Sequence, residues 1–356
     1  MNNSLFMSWL YQLKIVRIKW SKWEYWPFPI AILPVVFCYL YYSLKSFHFL
    51  FFKKVNPAVP MGGAFGVSKH LMLRDIEPAF LPDMVFAKAG TTVENLIELI
   101  KTNRITYPCI LKPDIGERGF FVQKVLSESH LTRQYIVLPC DMIVQSFIDL
   151  NEEYTVSFHH FPGSPSTFAI TSVCKKYFMQ VTGDGTSTIR QLMNGIDRYL
   201  LQLARFEKDQ PGLLDLILRK GEVKILESVG NHSRGTTFLD ARHLISPQLL
   251  DTYKRICSKL HGLYFGRFDL KANSEQDFIQ GRVKIMELNG VLGEPVHVYD
   301  PGYNFIKAYR DLFAQWKIIY RISKQAGSKA NDTGFVEGIQ ALLMYRKYKK
   351  QMALSK

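Results

Sequence analysis

The sequence predicts an α+β protein, and three observations support that fold class. First, residues 265–270 and 283–288 mix apolar and polar side chains at about every second position, which predicts paired antiparallel strands. Second, the run at 153–158 alternates in the same way. Third, helical patterns at 189–201 and 247–260 lie together between these strands, whereas a parallel βαβ series would alternate one helix with each strand.

The N-terminal part of the chain predicts a membrane-associating segment. Apolar side chains recur there at helical spacing among lysines and arginines, which predicts a basic amphipathic helix whose tryptophans suit a lipid headgroup boundary. Residues 26–44 then carry no charge, although three prolines argue against a straight helix. Since basic residues flank this run on both sides, we expect a kinked segment that re-enters or lies on the membrane, with both flanks in the cytoplasm. The alternatives are one true span and an apolar helix packed on the soluble body.

A phosphate-binding unit is predicted in the next part of the chain. Ser68 can cap a short helix that begins at Lys69. A strand at 107–112 ends on Lys112, a glycine-bearing loop follows, and the chain returns as a strand at 120–125. The N–H groups of such a loop can close over phosphates beside a lysine. The P-loop pattern is absent, however, and an ordinary hairpin is the alternative.

Composition narrows the range of partners. The formal net charge is +14, and the basic residues concentrate at both ends of the chain and around the predicted phosphate site. Anionic lipid and nucleotide fit this distribution, and no nucleic-acid partner is expected. The five cysteines are scattered without a CxxC pattern, so we expect a reducing compartment and neither a disulfide framework nor a zinc site.

Oxygen-bearing side chains lie near the ends of the two paired strands. Arg267 and Asp269 share one face of the first strand, because side chains alternate along a strand. Glu287 and Asn289 share one face of the second strand in the same way. Pairing would bring all four together, and their oxygens suit Mg²⁺ held against a polyphosphate, since magnesium takes oxygen ligands and few protein carboxylates. A solvated surface hairpin is the alternative.

Taken in order, these pieces resemble the ATP-grasp superfamily, most closely its carboxylate–amine ligase branch of D-alanine–D-alanine ligase-like and cyanophycin-synthetase-like enzymes. The resemblance covers about residues 66–300. It implies an ATP-grasp fold in which two α+β subdomains clasp ATP. The predicted domains are a short apolar, membrane-seeking segment, a subdomain with the phosphate lysines and lid, a subdomain with the metal site, and a helical basic tail, at residues 1–55, 56–148, 149–305 and 306–356.

The resemblance implies a role for each residue that matches the family's motifs. Two lysines would bind nucleotide phosphate, two glycines belong to the lid, three hinge residues would read adenine, and a glutamate would hold the ribose: Lys69, Lys112, Gly116, Gly119, Gln145, Phe147, Ile148 and Glu153. The metal ligands would be Asp269, Glu287 and Asn289. Catalytic roles fall to one arginine near the transferred phosphate and to two residues of a loop near the reacting acyl group: Arg267, Asn231 and Arg234.

The implied activity is an ATP- and Mg²⁺-dependent ligation. A carboxylate would be activated as an acyl phosphate and joined to an amine or another nucleophile, with two Mg²⁺ ions on the phosphates, a role that Mn²⁺ can also fill. We expect the enzyme in the cytoplasm at the inner face of the cell membrane, with anionic lipid as a partner. The sequence does not identify the acid and amine substrates. The alternatives are an ATP-grasp phosphotransferase that acts on a small molecule or sugar, and a non-catalytic nucleotide-binding membrane protein.

The chain departs from the ligase pattern in three places. Only residues 1–68 precede Lys69, so we do not expect the full α/β domain with which such ligases usually begin. The lid carries Glu117 and Arg118 where small residues are common. The loop after Asn289 also differs, and three of its side chains are candidate substrate contacts, with an acid at a helix start and a packed or exposed histidine as alternatives: Glu294, His297 and Asp300.

Overall fold

Helices and strands are mixed along the chain without βαβ alternation, which confirms the predicted α+β class. The computed structural model describes residues 3–116, 121–326 and 335–354. Within these ranges the helices are α1 Asn3–Ser21, α2 Phe28–Ser46, α3 Lys69–Leu73, α4 Val93–Thr102, α5 Glu128–Gln134, α6 Ile189–Asn194, α7 Asp197–Leu200, α8 Leu203–Asp209, α9 Pro211–Leu214, α10 Pro247–Ile256, α11 Glu275–Gln280, α12 Phe305–Gln325 and α13 Phe335–Leu354. The strands are β1 Met84–Ala87, β2 Cys109–Pro113, β3 Gln123–Val125, β4 Met142–Ser146, β5 Glu152–Phe161, β6 Ser164–Tyr177, β7 Met179–Thr182, β8 Val223–Glu227, β9 Thr237–Asp240, β10 Phe265–Ala272 and β11 Val283–Asn289.

The first sheet has four antiparallel strands in the order β1–β4–β2–β3. Helices α4 and α5 pack on it, and the helices and strands share a buried core that includes Leu96, Ile100, Leu111, Leu131 and Val144. Near the end of β2, Lys112 lies opposite Ile143 of β4, and its ammonium extends to the backbone of Met286 in β11. That placement explains how a lysine comes to be buried there.

The second sheet has five antiparallel strands in the order β11–β10–β5–β6–β9. Its side chains alternate between an apolar and a polar face, as period two requires. On the apolar face, Tyr154 stacks on Phe278 of α11 with ring centroids 4.1 Å apart, and Tyr253 of α10 packs nearby. The opposite face of β5 and β10 carries polar side chains: Glu153, Thr155, Ser157, Arg267 and Asp269.

A smaller unit joins the two-stranded sheet β7–β8 to the short helices α6 to α9. The sequence predicts one helix over 189–201, but the structure has two, because α6 ends at Asn194, with Gly195 as its C-cap, and the chain turns before α7. Ile18 of α1 is buried in the core of this unit. The N-terminal segment is therefore partly built into the body of the protein.

Helices α1 and α2 are joined by a short 3₁₀ turn, Trp23–Tyr25. One side of α2 packs on α12, where Tyr39 lies 5.2 Å from Trp316 and Tyr42 lies 4.9 Å from Tyr320 between ring centroids. In the part of the chain that the structure describes, α2 is the one helix that is long and apolar enough to cross a membrane. Its packing on α12 gives partial support to the alternative of an apolar helix docked on the body.

The linker at residues 56–63, which precedes α3 and β1, packs on the second sheet. The buried side chain of Asn56 donates hydrogen bonds to the carbonyl oxygens of Gly62 and Phe265, at 3.0 and 2.8 Å. Val59 and Leu73 lie in the same apolar core as β5 and β10. The sequence assigns residues 56–148 to the first subdomain. The segment 56–63 packs on the second sheet, whereas α3 contacts both sheets, through Leu73 and through the backbone bond of Lys69 to Asp114.

Candidate active site

Strands β10 and β11 pair as the sequence predicts. Asp269 lies opposite Glu287, and Arg267 lies opposite Asn289. A register shift between Asp269 and Leu270 interrupts the pairing, which resumes with Leu270 opposite Ile285. The two strands thus bring the predicted metal ligands and the predicted catalytic arginine to one face of the sheet.

Arg267 is held by acceptors on two sides. Its Nε donates to Asp269 Oδ1 at 3.2 Å, and its Nη1 donates to the carbonyl oxygen of Glu294 at 3.0 Å. Burial by itself would lower the pKa of Arg267, but the carboxylates of Asp269 and Glu287 outweigh it and raise that pKa. The guanidinium is therefore a fixed positive charge on this face.

Lys176 is a functional candidate that the sequence reasoning missed. Its ammonium lies 2.7 Å from Glu153 Oε1 and 3.7 Å from Asp269 Oδ2, and its side chain is buried. Burial favours the neutral form of Asp269, but Arg267 and Lys176 together lower the pKa of that carboxyl. The strand register that pairs Glu153 with Lys176 is the signal that could have revealed it.

Lys112 reaches from the first sheet to the second. Its ammonium donates to Gln145 Oε1 at 2.7 Å and to the carbonyl oxygen of Met286 in β11 at 3.1 Å. Burial lowers the pKa of Lys112 to about 8, while Glu287 opposes this shift and Lys69 adds to it. A lysine of one sheet and a carboxylate of the other therefore share one electrostatic environment.

Lys69 is positioned by the capped start of α3. Ser68 accepts a hydrogen bond from the N–H of Leu71 at 2.9 Å, and the Lys69 N–H donates to the carbonyl oxygen of Asp114 at 3.0 Å. The ammonium of Lys69 donates to the carbonyl oxygen of Gly116 and lies 3.7 Å from Glu287 Oε1. Both predicted phosphate lysines therefore lie beside the predicted metal-binding strand.

Four buried polar atoms near this cluster have no protein partner: Gln145 Nε2, Thr155 Oγ1, Ser157 Oγ and Asn289 Nδ2. An unsatisfied buried polar group costs about 1–3 kcal/mol, so such atoms mark a place where a bound group can supply the missing hydrogen bonds. Gln145 lies beside Lys112, Thr155 lies opposite Asp269, and Asn289 lies opposite Arg267. The unsatisfied atoms and the charged cluster thus coincide.

The residues fit a hard cation such as Mg²⁺. Among the described residues, no group of three or more His, Cys, Asp or Glu side chains could hold a metal ion. The predicted set instead offers two carboxylates and one amide, Asp269, Glu287 and Asn289, on directly paired strands. Magnesium usually takes one or two protein carboxylates and completes its shell with water and phosphate oxygens, so this donor set suits it.

The predicted adenine hinge and ribose acid are occupied by protein contacts. The Gln145 side chain binds Lys112, and the carbonyl oxygen of Ile148 accepts from Lys271 at 3.3 Å. The ring of Phe147 lies 3.7 Å from the ammonium of Lys124. Glu153, predicted to hold the ribose, is buried and paired with a lysine, so the structure groups it with the Asp269 cluster.

The lid residue Gly119, with its neighbours Glu117 and Arg118, lies outside the described residues. The other predicted lid glycine, Gly116, is described, and its carbonyl oxygen accepts from Lys69. Their roles in closing over phosphate stay predictions.

The loop that carries Asn231 and Arg234 reaches the cluster through its backbone. Arg234 Nε donates to Glu227 Oε2 at 2.7 Å, which holds that guanidinium within the β7–β8 unit. A Cβ atom on Gly230 would lie 2.3 Å from Glu153 Oε1, so the backbone that leads into the loop presses against the polar face. The structure thus places the loop beside the site, while the predicted contact of Arg234 with an acyl phosphate stays a prediction.

Two of the three candidate substrate contacts after Asn289 have structural roles. His297 is buried, with Nδ1 2.7 Å from Ser172 Oγ and Nε2 3.1 Å from Asp311 Oδ2, so the alternative of a packed histidine is favoured. Asp300 accepts hydrogen bonds from the N–H groups of Asp240 and Gly302 and so stabilises a turn. Only Glu294 keeps a place at the site, because its backbone oxygen binds Arg267.

The arrangement of the two sheets agrees with the predicted ATP-grasp fold. Lys112 of the first sheet and Lys69 of α3 lie beside the carboxylate strands β10 and β11 of the second sheet, which is the organisation that the ATP-grasp resemblance implies. No family model matches the chain, and no curated protein matches it.

Solved structures similar to this chain include three ligases. VanG D-Ala:D-Ser ligase from Enterococcus faecalis has 12% identity and a TM-score of 0.40, with 72% of this chain and 61% of that chain covered. D-alanine–D-alanine ligase from Bacillus anthracis has 14% identity and a TM-score of 0.36, with 72% and 66% covered. A bifunctional glutathione synthetase from Pasteurella multocida has 14% identity and a TM-score of 0.38, with 69% and 36% covered. The chain spans less than two thirds of each of these proteins, and at TM-scores below 0.5 their activities are not transferred to it.

Proposed function

We propose that this chain is an ATP-dependent ligase that activates a carboxylate as an acyl phosphate and joins it to an amine. One observation carries the proposal: Lys69 and Lys112 lie against the strand that bears Glu287, while Arg267 and Asp269 lie on the strand paired with it. Such an arrangement suits a nucleoside triphosphate, because the cations can bind its phosphates and the carboxylates can bind its metal ion. Phosphoryl transfer depends chiefly on such positioning and charge stabilisation.

The proposed reaction has two steps. A carboxylate oxygen of the acid attacks the γ-phosphorus of ATP, the bond to the β,γ-bridging oxygen breaks, and ADP leaves. The amine nitrogen then attacks the acyl carbon, inorganic phosphate leaves, and the amine gives up a proton. The sum is acid, amine and ATP converted to amide, ADP and phosphate.

The chain's own residues would hold and polarise the phosphates in this reaction. Lys69 and Lys112 place ammonium groups beside the transferred group, and Arg267 provides a fixed guanidinium. Asp269, Glu287 and Asn289 would hold Mg²⁺, which when bound supplies Lewis-acid stabilisation of the charge on the phosphate oxygens. The same proposal includes two ions at this site and the replacement of Mg²⁺ by Mn²⁺.

Hydroxylamine tests the first step, because it captures acyl phosphates as coloured hydroxamates. The full chain is incubated with Mg·ATP, hydroxylamine and a panel of amino acids and dicarboxylic acids, and ADP and hydroxamate are measured together. We expect both products with at least one acid. A stable phosphorylated product without hydroxamate would support the phosphotransferase alternative, and the absence of ADP under every condition would support a non-catalytic protein.

Glu287→Gln tests the metal assignment in the same assay. The change keeps the size of the side chain but removes the negative charge opposite Asp269. We predict at least a roughly hundredfold loss of ADP formation, since removal of one preorganised electrostatic group typically costs that much. Glu128→Gln, in an exposed ion pair with Lys101, is the matched variant and should keep wild-type turnover. Retained ADP formation in Glu287→Gln would overturn the metal assignment.

The N-terminal segment supports a second proposal, attachment to the cytoplasmic face of an anionic membrane. The outward side of α2 exposes large apolar side chains, with Phe37 63% and Leu44 77% exposed and Phe47 98% exposed just beyond it. Lys14, Arg17, Lys19 and Lys22 add positive charge along and just after α1. Exposed apolar surface beside basic residues is typical of proteins that bind anionic lipid.

A further inference from the structure

Glu24 is the only acidic residue among the first 74 of the sequence, and the structure buries it. It lies in the Trp23–Tyr25 turn between α1 and α2. A carboxylate is removed from water only where partners compensate its charge. Burial would raise the pKa of Glu24, but hydrogen bonding to His232 and the charge of Arg198 lower it, so the carboxylate is anionic.

Both partners of Glu24 hold the loop Asn231–Thr236. Glu24 Oε2 lies 2.9 Å from His232 Nε2, at the start of this loop. The same oxygen accepts a hydrogen bond from Arg198 Nη2. Arg198 Nη1 in turn donates to the carbonyl oxygen of Thr236 at 3.2 Å, at the end of the loop. One carboxylate from the N-terminal segment therefore fixes the loop at both ends.

Aromatic contacts on either side of Glu24 strengthen this attachment. Tyr25 stacks on His232 with ring centroids 5.9 Å apart. Trp23 stacks on Tyr299 at 5.2 Å, and the Tyr299 hydroxyl donates to Glu294 Oε2 at 2.7 Å. The Glu294 carbonyl also binds Arg267. The turn therefore contacts both loops that border the phosphate cluster, by which we mean Lys69, Lys112, Arg267, Asp269 and Glu287.

We infer that Glu24 is a positioning residue for the acyl-transfer step, because it holds the Asn231–Thr236 loop against the polar face through His232 and Arg198. The inference rests on the proposed ligase function. The loop carries Asn231 and Arg234, which are predicted to contact the reacting acyl group, and the backbone at Gly230 lies against Glu153. The lysines and carboxylates of the phosphate cluster take their positions from other elements.

Glu24→Gln separates these two parts of the site. The amide keeps the shape of the side chain but removes the negative charge that lies beside Arg198 and His232. The loop should loosen, whereas Lys69, Lys112 and Glu287 should keep their contacts. Small displacements of a positioned group can lower the rate of a reaction by as much as about a hundredfold, so acyl chemistry should suffer more than nucleotide binding.

The experiment uses the full chain with phosphatidylglycerol-containing vesicles, Mg·ATP, hydroxylamine and the acid panel described above. In Glu24→Gln we expect the kcat of hydroxamate formation to fall roughly tenfold or more, with the KM for Mg·ATP changed less than about twofold. ADP release in the absence of an acid should be unchanged. Glu77→Gln, in an exposed ion pair with Lys259, is the matched control and should behave as the wild type.

His232→Gln keeps the inference testable if Glu24→Gln fails to fold. His232 is the more accessible member of the pair, and its loss should lower hydroxamate formation in the same direction. Wild-type hydroxamate rates in a folded variant would overturn the positioning role and leave the ligase function standing. An equal loss of acid-dependent and acid-independent ADP release would show a general structural role instead. Absence of hydroxamate from the wild type would overturn the ligase function, and the inference with it.

Discussion

Lys112 is a buried lysine whose charge is costly in the folded protein. Burial lowers its pKa to about 8, although Glu287 opposes the shift. An unfolded lysine has a pKa of about 10.4. Between these values the unfolded chain binds more protons than the folded chain, so stability rises with pH through this window. Below pH 8 the folded protein bears the full cost of holding the charge.

Lys112→Met should remove this pH dependence. From pH 7 to pH 9.5, the free energy of unfolding of the wild type should rise by about 2 kcal/mol relative to that of the variant. Urea unfolding of both proteins at the two pH values measures the change. Lys88→Met, at an exposed position, is the control and should show no relative change. If the free energy of unfolding of Lys112→Met changes with pH as that of the wild type does, burial does not lower the pKa of Lys112.

Residues whose roles follow from local pattern were predictable, and residues whose roles follow from register were not. The alternation of β10 and β11 placed Asp269 and Glu287 on one face, and pairing confirmed it. Lys176 depends on how β5 and β6 align, which turn geometry and packing decide. Glu24 depends on a contact with His232 across most of the chain, which no sequence period reveals.

Strand β11 ends against the linker at a point where only glycine fits. A Cβ atom on Gly290 would lie 2.5 Å from the Cα atom of Gly63 and 2.7 Å from the carbonyl oxygen of Gly62. The N–H of Val291 donates to that same carbonyl at 3.2 Å. This close approach holds the linker beside Asn289, so it positions an element of the site.

Gly290→Ala should therefore separate the linker from β11. Overpacking a close contact typically costs 1–3 kcal/mol, and we expect a loss of about 2 kcal/mol in the free energy of unfolding, measured by urea denaturation. Gly212→Ala is the matched control, because no atom lies within 4 Å of its added Cβ in α9. That variant should be unchanged or slightly stabilised, since alanine favours helix. Equal stability of the two variants would argue against a tight Gly63–Gly290 contact.

Elements with a local sequence signal were predictable, whereas packing that depends on long-range hydrogen bonds was not. The short helix at Lys69 followed from a capping serine, and that cap is present. The linker before β1 carried no signal that it would pack on the second sheet, because its attachment depends on Asn56 reaching the backbone of Phe265. Long-range hydrogen bonds of this kind set the boundary between subdomains.

On the scale of the whole molecule, the N-terminal segment has two faces with different partners. Its inner face contributes Ile18 and Glu24 to the body, and Tyr39 packs on α12. Its outer face exposes Phe37 and Leu44. Because one element carries both faces, membrane attachment would fix the orientation of the phosphate cluster relative to the lipid surface.

We predict that the outer face of α2 binds membranes that contain anionic lipid. The wild type should float with vesicles of phosphatidylcholine and phosphatidylglycerol and resist sodium carbonate washing, since apolar insertion survives high pH. Phe37→Glu with Leu44→Glu should abolish flotation, because two charges would enter the apolar region. Val223→Glu with Ile225→Glu, which places the same charges on exposed positions of β8, is the matched control and should still float. Complete release of the wild type by carbonate would reject an embedded segment, and equal flotation of both double variants would place the lipid contact elsewhere.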